Sequence, residues 1–168
     1  AASIPTKMRM TVRELISLGT IPTRDLFSIR RRKNDASVVR AMELVGLSDL
    51  ADMDIARLSG GQRQRAVIGR ALASNAELLI FDEPLVNVDR SSRNGILKLL
   101  DDLCHNENKT LLMVSHDLTA IRQSAHRVIY LDGKIQFDGK TSEIPDLSGL
   151  AGLVGLEHVH KHANQEEE

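Results

Sequence analysis

Apolar positions along this chain follow one rhythm up to about residue 73 and another beyond it. Val12, Leu15, Ile16 and Leu18 recur at helical spacing behind Thr11-Val-Arg-Glu14, a Thr and Glu placed for a capping box. Gly19 is placed to end that helix. Val38, Val39, Ala41, Met42 and Val45 predict a second helix over 35–45, stopped by Gly46, and a shorter turn covers 48–53. Ala66, Val67, Ile68, Ala71 and Leu72 predict a third, of about three turns. Then Leu78-Leu79-Ile80-Phe81 runs unbroken, the pattern of a strand covered on both faces. A helix over 91–103 follows, then a buried strand over 110–114, a helix over 118–125 and a third strand over 127–131. Asp132-Gly133 turns into a hairpin partner over 134–137. Strands alternating with helices predict an α/β fold, a mostly parallel sheet with helices on both faces, behind a small α-helical subdomain.

Chemistry gathers at the joints of this pattern. Leu58 to Ala66 reads Leu-Ser-Gly-Gly-Gln-Arg-Gln-Arg-Ala. Ser59 is a good N-cap, and Gly60 and Gly61 lack the Cβ that would keep backbone and ligand apart. Such a helix start offers bare amides and a partial positive charge, a ready site for phosphate. Ligands of open parallel sheets collect beyond the carboxyl ends of strands, where Asp82-Glu83 and Ser115-His116 stand. Two adjacent carboxylates after an apolar strand are costly unless a cation or a water-activating role holds them.

Composition removes several alternatives. At 168 residues the chain is long enough to bury a core. A net charge of −1 gives no electrostatic case for nucleic acid, and 2% aromatics leave few platforms for stacking. The Arg30-Arg31-Arg32-Lys33 run reads as a solvated loop. The one cysteine, Cys104, rules out an internal disulfide framework and reads as a structural thiol of a reducing compartment. No apolar run approaches the ~20 residues that cross a bilayer, and the start has no signal-peptide pattern, so a cytoplasmic protein is expected.

The Leu58–Ala66 string resembles, at every position, the signature motif of the ATP-binding cassette (ABC) ATPases. The apolar run ending in Asp82-Glu83 resembles their Walker B motif, and Met-Val-Ser-His116-Asp their switch histidine. The resemblance implies a P-loop NTPase-type fold that binds ATP and Mg²⁺. It gives Asp82 the Mg²⁺, held through water, and gives Glu83 and His116 the catalytic roles of polarising the attacking water and sensing the γ-phosphate. It gives Ser59, Gly60, Gly61 and Gln62 contact with nucleotide held by a second, head-to-tail copy. Asp89 matches the Asp of the D-loop between the two nucleotide sites, although Leu85-Val86-Asn87-Val88 departs from the usual Thr-Ser-Ala-Leu.

Two family elements are missing: the Walker A loop, Gly-x-x-x-x-Gly-Lys-Ser/Thr, and the Gln of the Q-loop, whose place falls among Ala1, Ala2 and Ser3. Gly139-Lys140-Thr141 has the wrong spacing to Gly133 and follows a hairpin, so it is rejected as a Walker A. The 168 residues are therefore expected to form the C-terminal part of a longer cassette, with negligible ATP turnover of their own and bared sheet surface. The domains expected are a helical subdomain over 1–57, the C-terminal part of the ATPase core over 58–145, and an extension over 146–168. In that extension His158, His160 and His162 alternate, which reads equally as a polar, disordered terminus ending in Glu166-Glu167-Glu168 or as a spacing that suits Zn²⁺ on an extended segment. With the Thr-Val-Arg-Glu-Leu opening, this makes the chain similar to the ATPases of zinc/manganese and iron-chelate importers. The resemblance implies a peripheral protein on the inner face of the membrane. Its partners would be an integral membrane permease, a second ATPase subunit and, indirectly, a substrate-binding protein, with no nucleic acid expected. The alternatives are a soluble ABC ATPase acting on DNA or ribosomes, and a non-catalytic regulatory fragment without Walker A.

Overall fold

The computed structural model describes residues 9–20, 36–86 and 88–144. The Arg30–Lys33 run, Asn87 and the three tail histidines lie outside them, as do Ala1 to Ser3. The chain divides into two compact units, Ala1–His116 and Asp117–Glu168.

The first unit opens with α1 (Val12–Ser17), extended by a 3-10 turn over Leu18–Thr20, and continues with α2 (Ala36–Leu44). The capping box forms as the sequence predicts: Thr11 Oγ1 accepts from the Glu14 amide (3.2 Å), and a Glu14 carboxylate oxygen accepts from the Thr11 amide (2.9 Å). Gly19 stands in the 3-10 turn, against the Arg70 carbonyl of α3 (Gly60–Ala73), where a Cβ would collide. Val12, Ile16, Val38, Val45 and Ile68 are fully buried together with Leu47, so the three helices share one apolar core. The segment leading to the third helix is stitched to the first: Val12 donates to Met53 O, Arg13 to Ala51 O and Ile55 to Met10 O, at 2.9–3.0 Å. Asn75, just past α3, takes the left-handed φ of 61° that a helix stop favours.

Two parallel strands follow, β1 (Leu78–Asp82) and β2 (Thr110–Val114), paired in register from Leu78↔Thr110 to Asp82↔Val114. Between them α4 (Arg90–His105) buries Ile96, Leu97, Leu99, Leu100 and Leu103, packing on α3 and on β2. One expectation fails here. Only alternate residues of β1 are covered: Leu79 and Phe81 are buried, but Leu78 is 52% and Ile80 64% exposed. Leu112 (50%) and Val114 (54%) of β2 are exposed as well. Successive side chains of a strand point to opposite faces, so helices on one face alone leave every second residue bare.

The second unit holds α5 (Leu118–Ser124), capped by Asp117, and the strands β3 (Arg127–Asp132) and β4 (Lys134–Lys140). The predicted hairpin forms around Gly133 at φ 64°, with Arg127 and Asp138 joined by two 2.8 Å hydrogen bonds. It is longer than expected, reaching Lys140. The third strand was expected to extend the parallel sheet; among the described residues β3 pairs only with β4, antiparallel. Closing a one-residue turn orders far less chain than a long crossover does. Gly139 and Lys140 end that strand, and the Lys140 amide donates to Glu143 Oε2 (3.0 Å). This local cap leaves no strand–loop–helix frame in which Gly139-Lys140-Thr141 could cradle phosphate.

Candidate functional site

Two constellations form in the first unit. The first is the start of α3. Ser59 Oγ accepts from the Gln62 amide (3.2 Å) and Gln62 Oε1 accepts from the Ser59 amide (3.0 Å), a reciprocal capping box. The Gln62 side chain, expected at the nucleotide, is thus occupied in holding the turn. The box also takes up the Gln62 amide, so the bare donors of this helix start are fewer than the sequence suggested; the first-turn amides of Gly60 and Gly61 have no intrahelical acceptor. Ser59 and Gly60 are exposed, whereas Gly61 is buried.

The second constellation stands beyond the carboxyl ends of the parallel strands. Asp82 closes β1 and is exposed. Glu83 follows with φ 47°, a left-handed backbone that a non-glycine residue adopts at some cost. Its amide still donates to Val114 O (2.9 Å), so the turn stays on the end of β2. Its carboxylate accepts from His116 Nδ1 (2.6 Å) and the His116 amide (3.1 Å) on one oxygen, and lies 3.4 Å from Ser115 Oγ on the other. The hydrogen bond from the His116 side chain, aided by its charge and backbone amide and opposed by partial burial, holds the Glu83 carboxyl below the usual glutamate range. Glu83 and His116, 33 positions apart, form one unit.

Asp89 stands at the N-cap of α4 and is exposed. Its Oδ1 accepts from Ser91 Oγ (2.5 Å) and the Ser92 amide (2.9 Å), and these bonds, the Ser91 hydroxyl first, pull its carboxyl down to about 2. In this structure Asp89 does the work of a cap. Asp-Arg-Ser-Ser is a helix N-terminal signal in the sequence, and Ser91 and Ser92 supply the donors that Asp89 accepts from. In the segment leading to Asp89, Leu85 and Val88 are buried and Val86 is 45% exposed. Cys104 is half-buried, its thiol pushed up by desolvation and then by Asp101, which suits an inert thiol.

A parallel strand ends in paired carboxylates, a histidine stands just past the next strand, and a glycine-started helix belongs to the same unit. The fold is of the P-loop ATPase class. The family model for ABC transporters matches residues 4–86. The ferric enterobactin transport ATP-binding protein FepC of Escherichia coli is 36% identical over 148 residues, covering 88% of this chain and 55% of that protein. The zinc uptake ATP-binding protein ZurA of Listeria monocytogenes is 39% identical, covering 79% and 52%. The thiamine import ATP-binding protein ThiQ of Yersinia pestis is 37% identical, covering 88% and 61%. Among solved structures, an inward-facing putative metal-chelate type ABC transporter superposes with a TM-score of 0.75 at 25% identity, covering 91% of this chain and 62% of that one. The dimeric bacterial cassette MJ0796 gives 0.61 at 30% identity, covering 79% and 57%. The chain belongs to the ABC transporter ATP-binding family, and its fold is that of the ABC ATPase cassettes. It spans about half the length of the curated relatives it matches.

Proposed function

We propose that this chain supplies the signature turn and the hydrolytic residues of an importer-type ABC transporter ATP-binding subunit. The observation that carries the proposal is the Glu83–His116 pair at the ends of adjacent parallel strands, in the same unit as the Ser59-capped helix. Glu83 is held ionised and aimed, as a base for a water attacking a γ-phosphate must be. A carboxylate only accepts, so His116 Nδ1 donates to it, and a phosphate oxygen also only accepts. An imidazole that bridges the two must carry both protons. His116 would then be an imidazolium between carboxylate and phosphate, losing one favourable contact when the phosphate leaves.

With Glu83 engaged by His116 and Ser115, Asp82 is the carboxylate left for a cation. One carboxylate with waters and substrate phosphates fits Mg²⁺, which keeps much of its hydration and would screen the phosphate charge. The Ser59 turn would face nucleotide held by the Walker A loop of a second copy, with the Asp89 loop between the two sites. The region over 1–57 would dock a membrane permease on the inner face of the membrane, and a substrate-binding protein would act indirectly. The relatives' names span iron chelates, zinc and thiamine, which supports import without choosing a solute.

The test is ATP hydrolysis by the complete subunit with its permease in vesicles. Glu83→Gln is expected to lower turnover by about a hundredfold or more while Mg-ATP binding persists. Unchanged turnover would refute the assignment.

A further inference from the structure

The two adjacent glycines of the turn face different surroundings: Gly60 is exposed and Gly61 is buried. A Cβ built on Gly61 would stand 2.5 Å from Ser92 Cβ and 2.6 Å from Ser92 Oγ, but 3.9 Å from Ser92 Cα. The first distance is far inside contact and involves an atom no rotamer change can move. Ser92 cannot yield easily, because its amide is bonded to Asp89 Oδ1 (2.9 Å) and to the Asp89 carbonyl (3.1 Å).

One turn further along, the relation reverses. A Cβ on Gly95 of α4 would stand 2.7 Å from Arg65 Nη2 of α3. Arg65 is in turn anchored, its Nη1 donating to Val45 O (3.2 Å) at the end of the α2 segment. Residues 61 and 65 share a face of one helix, and 92 and 95 a face of the other. Each helix therefore offers a glycine where its neighbour offers a side chain.

We propose that Ser92 is a positioning residue: by contact with Gly61 it sets where the Ser59–Gln62 turn stands relative to the Asp89 loop. Gly61 is glycine because Ser92 fills the space beside it, and the turn and the loop move as one body. The consequence for catalysis rests on the function proposed above; the packing relation does not. A misplacement of about 1 Å in an aligned site costs on the order of a hundredfold in rate.

Four forms decide the matter: Gly61→Ala, Ser92→Gly, and Gly61→Ala combined with Ser92→Gly or with Ser92→Ala. In the complete subunit, Gly61→Ala is expected to lower kcat for Mg-ATP about a hundredfold and leave KM within about twofold, since the primary phosphate cradle lies on the other copy. Adding Ser92→Gly, which removes the colliding Cβ, restores kcat to near that of Ser92→Gly alone. Adding Ser92→Ala, which keeps the Cβ, restores nothing. In the 168-residue chain the thermal midpoint follows the same order, falling by roughly 3–10 °C for Gly61→Ala and recovering only with Ser92→Gly. Equal rescue by the two Ser92 substitutions, or no loss from Gly61→Ala, overturns the proposal. If no form hydrolyses ATP but the midpoints keep this order, the ATPase reading fails and the packing relation stands.

Discussion

His116 Nδ1 lies 2.6 Å from Glu83 Oε1, and Glu83 holds a left-handed backbone to make that contact. The left-handed backbone and the hydrogen bond occur at one residue: Glu83 has φ 47°, and its carboxylate meets His116 just past the end of β2.

The pair fixes a pH signature. Glu83 is depressed in the folded chain, so its contribution to stability is present above the ordinary value of 4.5 and is lost as pH falls through the lower folded value. Carbon NMR of the Glu83 carboxyl is expected to titrate below 4.5, and His116→Ala to move it up, because the largest contribution to its depression is removed. An unshifted midpoint in that variant would contradict the geometry.

Asp89 offers an independent titration. Its carboxyl, held at about 2 by Ser91 and Ser92, contributes stability that is complete above about 3.8 and vanishes as pH drops toward 2. Ser91→Ala removes the largest contribution and is expected to raise the Asp89 value toward 3.8, narrowing that window. A value still near 2 would mean the Ser92 amide alone does the work.

The bare face of the parallel pair gives a third prediction. Leu78, Ile80, Leu112 and Val114 form an apolar surface on adjacent strands, which favours self-association. The 168-residue chain is expected to bind the dye ANS and to associate, and Ile80→Thr with Leu112→Thr to reduce both. If the rest of a complete cassette covers this face, the same substitutions there destabilise it by about 1–3 kcal/mol each. Indifference in both settings would leave the face without a packing role.

For the tail, Zn²⁺ titration is the check. Micromolar or tighter binding, of the order that imidazole donors support, should be lost when His158, His160 and His162 become alanine. Retained binding would place the metal elsewhere.

What could be read from the sequence was what is local. The box at Thr11–Glu14 and the cap at Ser59 close within three residues, so their chemistry is written in adjacent letters; the return bond from the Ser59 amide to Gln62 came only with the structure. The strand ends were readable too, because Asp82-Glu83 and Ser115-His116 each interrupt an apolar run. The bond between Glu83 and His116, and the left-handed backbone it accompanies, depend on strand register 33 positions apart. Gly61 against Ser92 is likewise a matter of helix packing, invisible to either stretch alone. The double cover expected for Leu78–Phe81 fails because a continuous apolar run reports which faces can be covered, and the described residues cover only one.

The central claim is that the turn opening at Ser59 faces the terminal phosphate of nucleotide held by a neighbouring copy. The most direct test is the structure of the complete dimer trapped with Mg-ATP. Ser59 Oγ is expected within hydrogen-bond reach, about 3 Å, of a γ-phosphate oxygen bound by the other subunit. A turn that points into solvent in that dimer would contradict it.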